Sequence, residues 1–128
     1  MARKKTPGPT EAELVILRVL WNRGPSTVRQ VNDELNRSQP TGYTTTLKQM
    51  QIMTGKGLLL RDDAQRSHLY RAKTAKEKTQ NRLIRNLLDK AFNGSTEQLV
   101  LRALTAKKVS NEELKRIQKL LDELEGDA

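Results

Sequence analysis

The chain of 128 residues carries 24 Lys and Arg against 15 Asp and Glu, a net charge of +9, with 35% hydrophobic and only 3% aromatic residues. That length bounds it to one domain, or a small domain with an appended assembly element, and so thin an apolar fraction buries a modest core unless chains associate. The lack of cysteine excludes disulfides and thiolate metal sites, one histidine leaves little for metal binding or acid–base catalysis, and no apolar run is long enough to span a membrane.

The charge is unevenly spread. Residues 1–73 hold 13 Lys and Arg against 6 Asp and Glu, whereas residues 74–128 hold 11 against 9. A positive excess of this kind points to a polyanionic partner for the N-terminal part. Residues 1–9 are basic and rich in Pro and Gly, with no apolar segment behind them like that of a signal peptide. They are expected to form a flexible arm on a cytoplasmic protein.

Helix 1 is expected to open at the capping box Thr10-Glu11-Ala12-Glu13 and to end at Gly24-Pro25. Leu14, Leu17, Leu20 and Trp21, with Ile16 beside them, make its apolar stripe. Ser26 and Thr27 offer the next N-cap, and Gln30 lies three residues after Thr27. Val28, Val31 and Leu35 then form the buried face of a short helix 2 running to about Asn36. A turn-rich linker follows, from Ser38 to Gly42.

The stretch from Tyr43 to Gly57 organises the rest. At helical spacing Leu47, Met50 and Met53 share one side, flanked by Tyr43 and Thr46. Thr44, Thr45, Lys48 and Ile52 fall on the other, with Gln49 at its margin, and that face holds no carboxylate. Hydroxyl, amide and cationic side chains are the types that reach phosphates and base edges in a major groove. Gly55 and Gly57 are expected to stop this helix.

A hairpin is expected next, with Leu58 to Asp63 as the outgoing strand and His68 to Ala72 as the return. By the two-residue period His68 and Tyr70 share one face. Arg66 lies at the tip, where it would meet a phosphate or a minor groove. Helix, short helix, turn, polar-faced helix and hairpin form the order of a winged helix-turn-helix. The fold class expected is therefore mainly α, with a small β-hairpin wing and the DNA-binding domain spanning residues 10–73.

Residues 74–125 read as a helical dimerisation region. Three helices are expected to start at Thr74, Ser95 and Ser110, with Asn93-Gly94 stopping the first of them. Leu83, Leu87, Leu99, Leu114, Ile117 and Leu121 make a stripe that two chains could bury together.

Taken in order, these segments resemble the penicillinase-repressor transcriptional regulators (the BlaI/MecI/CopY type) from about Pro9 to Leu124. The resemblance is carried by Thr10-Glu11-Ala12-Glu13-Leu14, Leu20-Trp21, Gly24-Pro25-Ser26-Thr27 and Gly42-Tyr43-Thr44-Thr45. It continues in Lys56-Gly57-Leu58, His68-Leu69-Tyr70-Arg71, Phe92-Asn93-Gly94-Ser95 and the Leu-Val-Leu of residues 99–101. It implies a homodimer that binds inverted-repeat operators in double-stranded DNA and blocks transcription, without a cofactor. By position it makes Thr44, Thr45, Lys48 and Gln49 the recognition-helix candidates and Arg66 the wing candidate.

Three departures stand out. Ile52 occupies a position where many relatives carry arginine, leaving a side chain that could at most touch a thymine methyl. The Cys motifs of the copper-responsive branch are missing. The penicillin-responsive branch is cut by a regulatory protease between Asn and Phe, where this chain has Arg102 and Ala103, the candidate cleavage site.

Three other functions are weighed by the same residues. A winged helix can serve protein–protein assembly with its charge incidental, against which stands the carboxylate-free face of helix 3. An enzyme would need a phosphate-binding glycine loop, a His pair or a reactive cysteine, and the sequence holds none of these. RNA recognition would call for aromatic stacking platforms, and Tyr43 and Tyr70 are the only tyrosines.

Overall fold

The computed structural model describes residues 8–126, so the arm expected over residues 1–9 lies outside the described residues as far as residue 7. The elements run α1 (Glu11–Arg23), α2 (Val28–Asn36), α3 (Tyr43–Gly55), β1 (Leu59–Asp62), β2 (Leu69–Ala72), α4 (Lys76–Ala91), α5 (Thr96–Ala106) and α6 (Asn111–Gly126). The chain is mainly helical with an antiparallel hairpin, in the order of a winged helix-turn-helix. It divides into two compact units after Arg85, inside α4.

Capping chemistry sets the limits of the first two helices. Thr10 Oγ1 accepts from the Glu13 N–H at 3.2 Å, while Glu13 Oε1 accepts from the Thr10 N–H at 2.9 Å. Thr27 and Gln30 repeat the exchange at 3.1 and 2.9 Å. Each box satisfies two amides that a helix start would otherwise leave without partners. α1 ends where Gly24, at φ 89°, donates its N–H to Leu20 O.

α3 ends differently from the expectation that both glycines stop it. Gly55 lies within the last turn, and Gly57 alone reverses the chain at φ +82°. Its N–H donates to Thr54 O at 3.1 Å and the N–H of Leu58 to Met53 O at 2.9 Å, the paired bonds of a Schellman motif.

The core of the first unit lies where α1, α2, α3 and the hairpin meet. Val31, Met50 and Met53 are 0% exposed, and Ile16, Leu17, Leu20, Val28, Leu59 and Tyr70 surround them. Trp21 is half-buried against this cluster, and its Nε1–H donates to Thr74 O at 3.0 Å. Of the three leucines that open the hairpin, Leu59 goes inward and Leu60 faces out.

β1 pairs antiparallel with β2 in the register Leu59↔Ala72 to Asp62↔Leu69. β2 begins at Leu69, so His68 stands exposed just before the strand while Tyr70 is buried. The outer edge of β2 is closed by the segment between α1 and α2: Ser26 N–H donates to Tyr70 O at 2.9 Å and Tyr70 N–H to Ser26 O at 2.8 Å. This bridge covers backbone groups that an open edge would leave unpaired.

The second unit holds the end of α4, with α5 and α6. Asn93 and Gly94, both at positive φ, stop α4, and the Gly94 N–H donates to Leu88 O at 2.8 Å. Ser95 Oγ caps α5 by accepting from the Gln98 N–H, and Ser110 Oγ accepts from the Glu113 N–H, both at 3.1 Å. No residue of α5 or α6 is buried. Leu120 and Leu124 are 58% and 68% exposed.

Candidate nucleic-acid interface

The placement of α3 depends on two asparagines in α2. Asn36 Nδ2–H donates to Thr41 O at 2.8 Å, and its Oδ1 accepts from the Thr41 N–H at 3.0 Å. The Asn32 side-chain amide lies 3.1, 3.2 and 2.7 Å from Thr41 O, Gly42 O and Thr46 Oγ1. A turn whose own backbone groups are satisfied by side chains fixes the angle between the helices it joins. Neither asparagine was distinguishable in the sequence from a solvated polar residue.

Thr44, Thr45, Lys48 and Ile52 are exposed along α3, and Gln49 is half-buried at their margin, as the helical spacing predicts. Thr46, Met50 and Met53 are buried on the opposite side, with Leu47 half-buried and Tyr43 exposed. No acidic residue occurs anywhere in α3. Lys56, just past its end, is drawn away: Nζ lies 2.6 Å from Oε2 of the buried Glu13.

Both carboxylates near the wing tip are occupied locally. Asp62 Oδ1 accepts from the Ala64 N–H at 2.9 Å, and Asp63 Oδ1 lies 2.7 Å from Arg61 Nε and 3.2 Å from His68 Nδ1. Hydrogen bonds to Tyr70 and Asp63 raise the Arg61 guanidinium above its ordinary pKa. Arg66 is exposed, and among the described residues neither it nor Lys48 takes part in an ion pair.

The fold brings Arg66 and the start of α3 to one cleft. Its walls are Thr27, Val28 and Arg29 of the α2 entry, Tyr43 and Leu47 of α3, and Arg66, Ser67, His68 and Tyr70 of the wing. Arg29 was not a sequence candidate. Its guanidinium carbon lies over the Tyr43 ring at 5.4 Å from the centroid, a cation–π distance. Fourteen positions separate Arg29 and Tyr43 in the chain, and no local pattern announces a pairing of this kind.

The other candidate residues lie in the C-terminal helices. Leu83, Leu99 and Ile117 are half-buried, whereas Leu87, Leu114 and Leu121 are exposed. Arg102 and Ala103 are both exposed in the interior of α5.

Three packed helices, a polar-faced third helix and a hairpin beside it define a winged-helix protein. A MarR family protein from Bacillus stearothermophilus has a similar fold, with a TM-score of 0.51 at 20% identity, covering 93% of this chain and 74% of that one. The chain belongs to the penicillinase repressor family of transcriptional regulators, whose pattern it matches over residues 9–123. It is 28% identical over 117 residues to the transcriptional regulator BlaI of Mycobacterium tuberculosis, covering 91% of this chain and 84% of that protein. The penicillinase repressor of Bacillus licheniformis is 23% identical over 120 residues, covering 94% of each chain.

Proposed function

We propose that the protein is a cytoplasmic, homodimeric repressor that binds inverted-repeat operators through α3 and the wing. The observation that carries this reading is the outer face of α3. It is exposed, free of carboxylates and flanked by a wing whose acidic residues are already engaged. Lys48 and Arg66 would contact phosphates, while Thr44, Thr45 and Gln49 would read base edges. Ile52 would present an apolar surface to a thymine methyl.

Homodimerisation is supported by the exposed leucines of the C-terminal helices, which lack a buried core of their own. Two copies that bury these faces would remove apolar area from water at about 25 cal/mol per Å². Residues 74–125 are accordingly assigned to the dimerisation region. For release from DNA, the candidate point is the Arg102–Ala103 bond, whose cutting by a regulatory protease would sever α6 and part of α5 from the winged helix. That bond lies in mid-helix, so cutting it requires α5 to open locally.

The test of DNA binding is affinity for duplexes selected from a random pool, measured over a range of salt concentrations. Lys48→Ala or Arg66→Ala should weaken binding and flatten the log–log salt slope by about one unit per lost contact. Changes at Thr44, Thr45 or Gln49 should instead alter which duplexes are selected. Unchanged binding in Lys48→Ala at every salt concentration would remove α3 as the reading head. Cleavage is tested by immunoblot during β-lactam exposure. An N-terminal fragment ending near Arg102 supports it, and derepression with only full-length protein present rules it out.

A further inference from the structure

We propose that Arg29 is a phosphate clamp for the DNA backbone, with the Tyr43 ring as its platform, a role that rests on the DNA-binding reading above. Arg29 is the second residue of α2, and Tyr43 is the first of α3. The contact between them joins the starts of the two helices that form the helix-turn-helix.

A cation over an aromatic ring is held by the ring's quadrupole and gives none of its N–H groups to a hydrogen-bond acceptor, so they remain for a phosphate oxygen. The Tyr43 ring therefore holds the cation in place without using the donors a phosphodiester needs. Both residues are exposed, and Arg29 takes part in no ion pair among the described residues.

The surroundings favour an anion. Neither α2 nor α3 has an acidic residue in its first turn, so the positive ends of both helix dipoles are uncompensated there. Arg66 and the hydroxyl-bearing Thr27 and Ser67 line the same cleft. A strand of duplex DNA whose major groove receives α3 would pass this cleft at the flank of the reading head. The contact would be to phosphate alone, strengthening binding to operator and to unrelated duplex equally.

The test compares intact wild-type protein with Arg29→Ala, Arg29→Lys and Tyr43→Leu, each first shown by circular dichroism to be folded. Arg29→Gln stands in for Arg29→Ala if that variant unfolds. Dissociation constants are measured for a selected duplex and an unrelated one between 50 and 200 mM salt, the range over which about 0.9 unit of slope per phosphate is readable. Arg29→Ala is expected to lose about one unit of slope per protomer and to weaken both duplexes by the same factor. Arg29→Lys should keep the slope yet bind more weakly, because an ammonium lacks the planar fork. Tyr43→Leu should weaken binding with its charge count unchanged.

Phosphate ethylation interference provides the direct reading. One phosphate per half-site should matter to the wild type and cease to matter in Arg29→Ala. Wild-type slope and affinity in Arg29→Ala would overturn the clamp while leaving the repressor reading intact. A wild type that binds no duplex at all would overturn both.

Discussion

Glu13 and Lys56 are 43 residues apart in the chain, yet their side chains meet at 2.6 Å and tie α1 to the end of α3. Burial pushes the Glu13 carboxyl up, but Lys56 and the hydrogen bonds from Thr10 outweigh it and hold the group below its ordinary 4.5. A depressed folded-state pKa means that the unfolded chain binds the proton first on acidification. The stabilisation is therefore complete above the unfolded value and is lost as pH falls through the folded one. In Glu13→Gln, the stability deficit against wild type should be constant near neutrality and shrink below about pH 4.5. Urea midpoints from pH 7 to pH 3 check this, and a deficit that stays flat to pH 3 would refute the ionic role. At Ile52, 44% exposed on the outer face of α3, the fold leaves room for a longer side chain. Ile52→Arg should add a phosphate contact and steepen the salt slope by about 0.9 unit, as measured by anisotropy titration.

At the end of α3, two glycines two positions apart are under opposite constraints. Gly55 is helical and a Cβ there meets open space, so Gly55→Ala should stabilise the fold by about 0.5–1 kcal/mol. Gly57 also has open space around it, but its φ of +82° penalises any side chain. Gly57→Ala should cost about 1–2 kcal/mol, and paired urea unfolding curves would show the opposite signs. The sequence announced a stop here without saying which glycine made it, because that depends on where the last helical bond falls. Other local features were readable, namely the boxes at Thr10 and Thr27, the caps at Ser95 and Ser110, and the exposed face from Thr44 to Ile52. The start expected at Thr74, however, falls later, at Lys76, and the Thr74 carbonyl accepts from Trp21. What escaped sequence reasoning was tertiary. The clamp of Asn32 and Asn36 on the turn, the Ser26–Tyr70 bridge and the Arg29–Tyr43 contact each join residues whose spacing carries no periodic signal.

For the whole molecule, the contrast between the two units sets the expectation. The first encloses fully buried Met50 and Met53, whereas α5 and α6 of the second leave leucines facing water. If a second copy covers them, Ile117→Asp should place an unpaired carboxylate in the shared interface, at a cost of several kcal/mol. Sedimentation equilibrium should then show a dimer for wild type and a shift to monomer for the variant. Wild-type protein that is monomeric at micromolar concentration would rule this out. Operator affinity should fall with the dimer, because linked half-site binding gains about 10² to 10⁴ over single-site binding. Binding to a lone half-site should change little.

Trp21 is the only tryptophan in the chain, and its indole N–H is bonded to the carbonyl of Thr74, just ahead of α4. The molecule therefore carries its own fluorophore at the junction between α1 and the chain leaving the wing. Indole emission shifts to longer wavelength as the ring gains water, so excitation at the red edge of its absorption reports on that junction without a label. Loosening of the α4 entry would register as a red shift even while the helical content, and hence the circular dichroism, stayed the same.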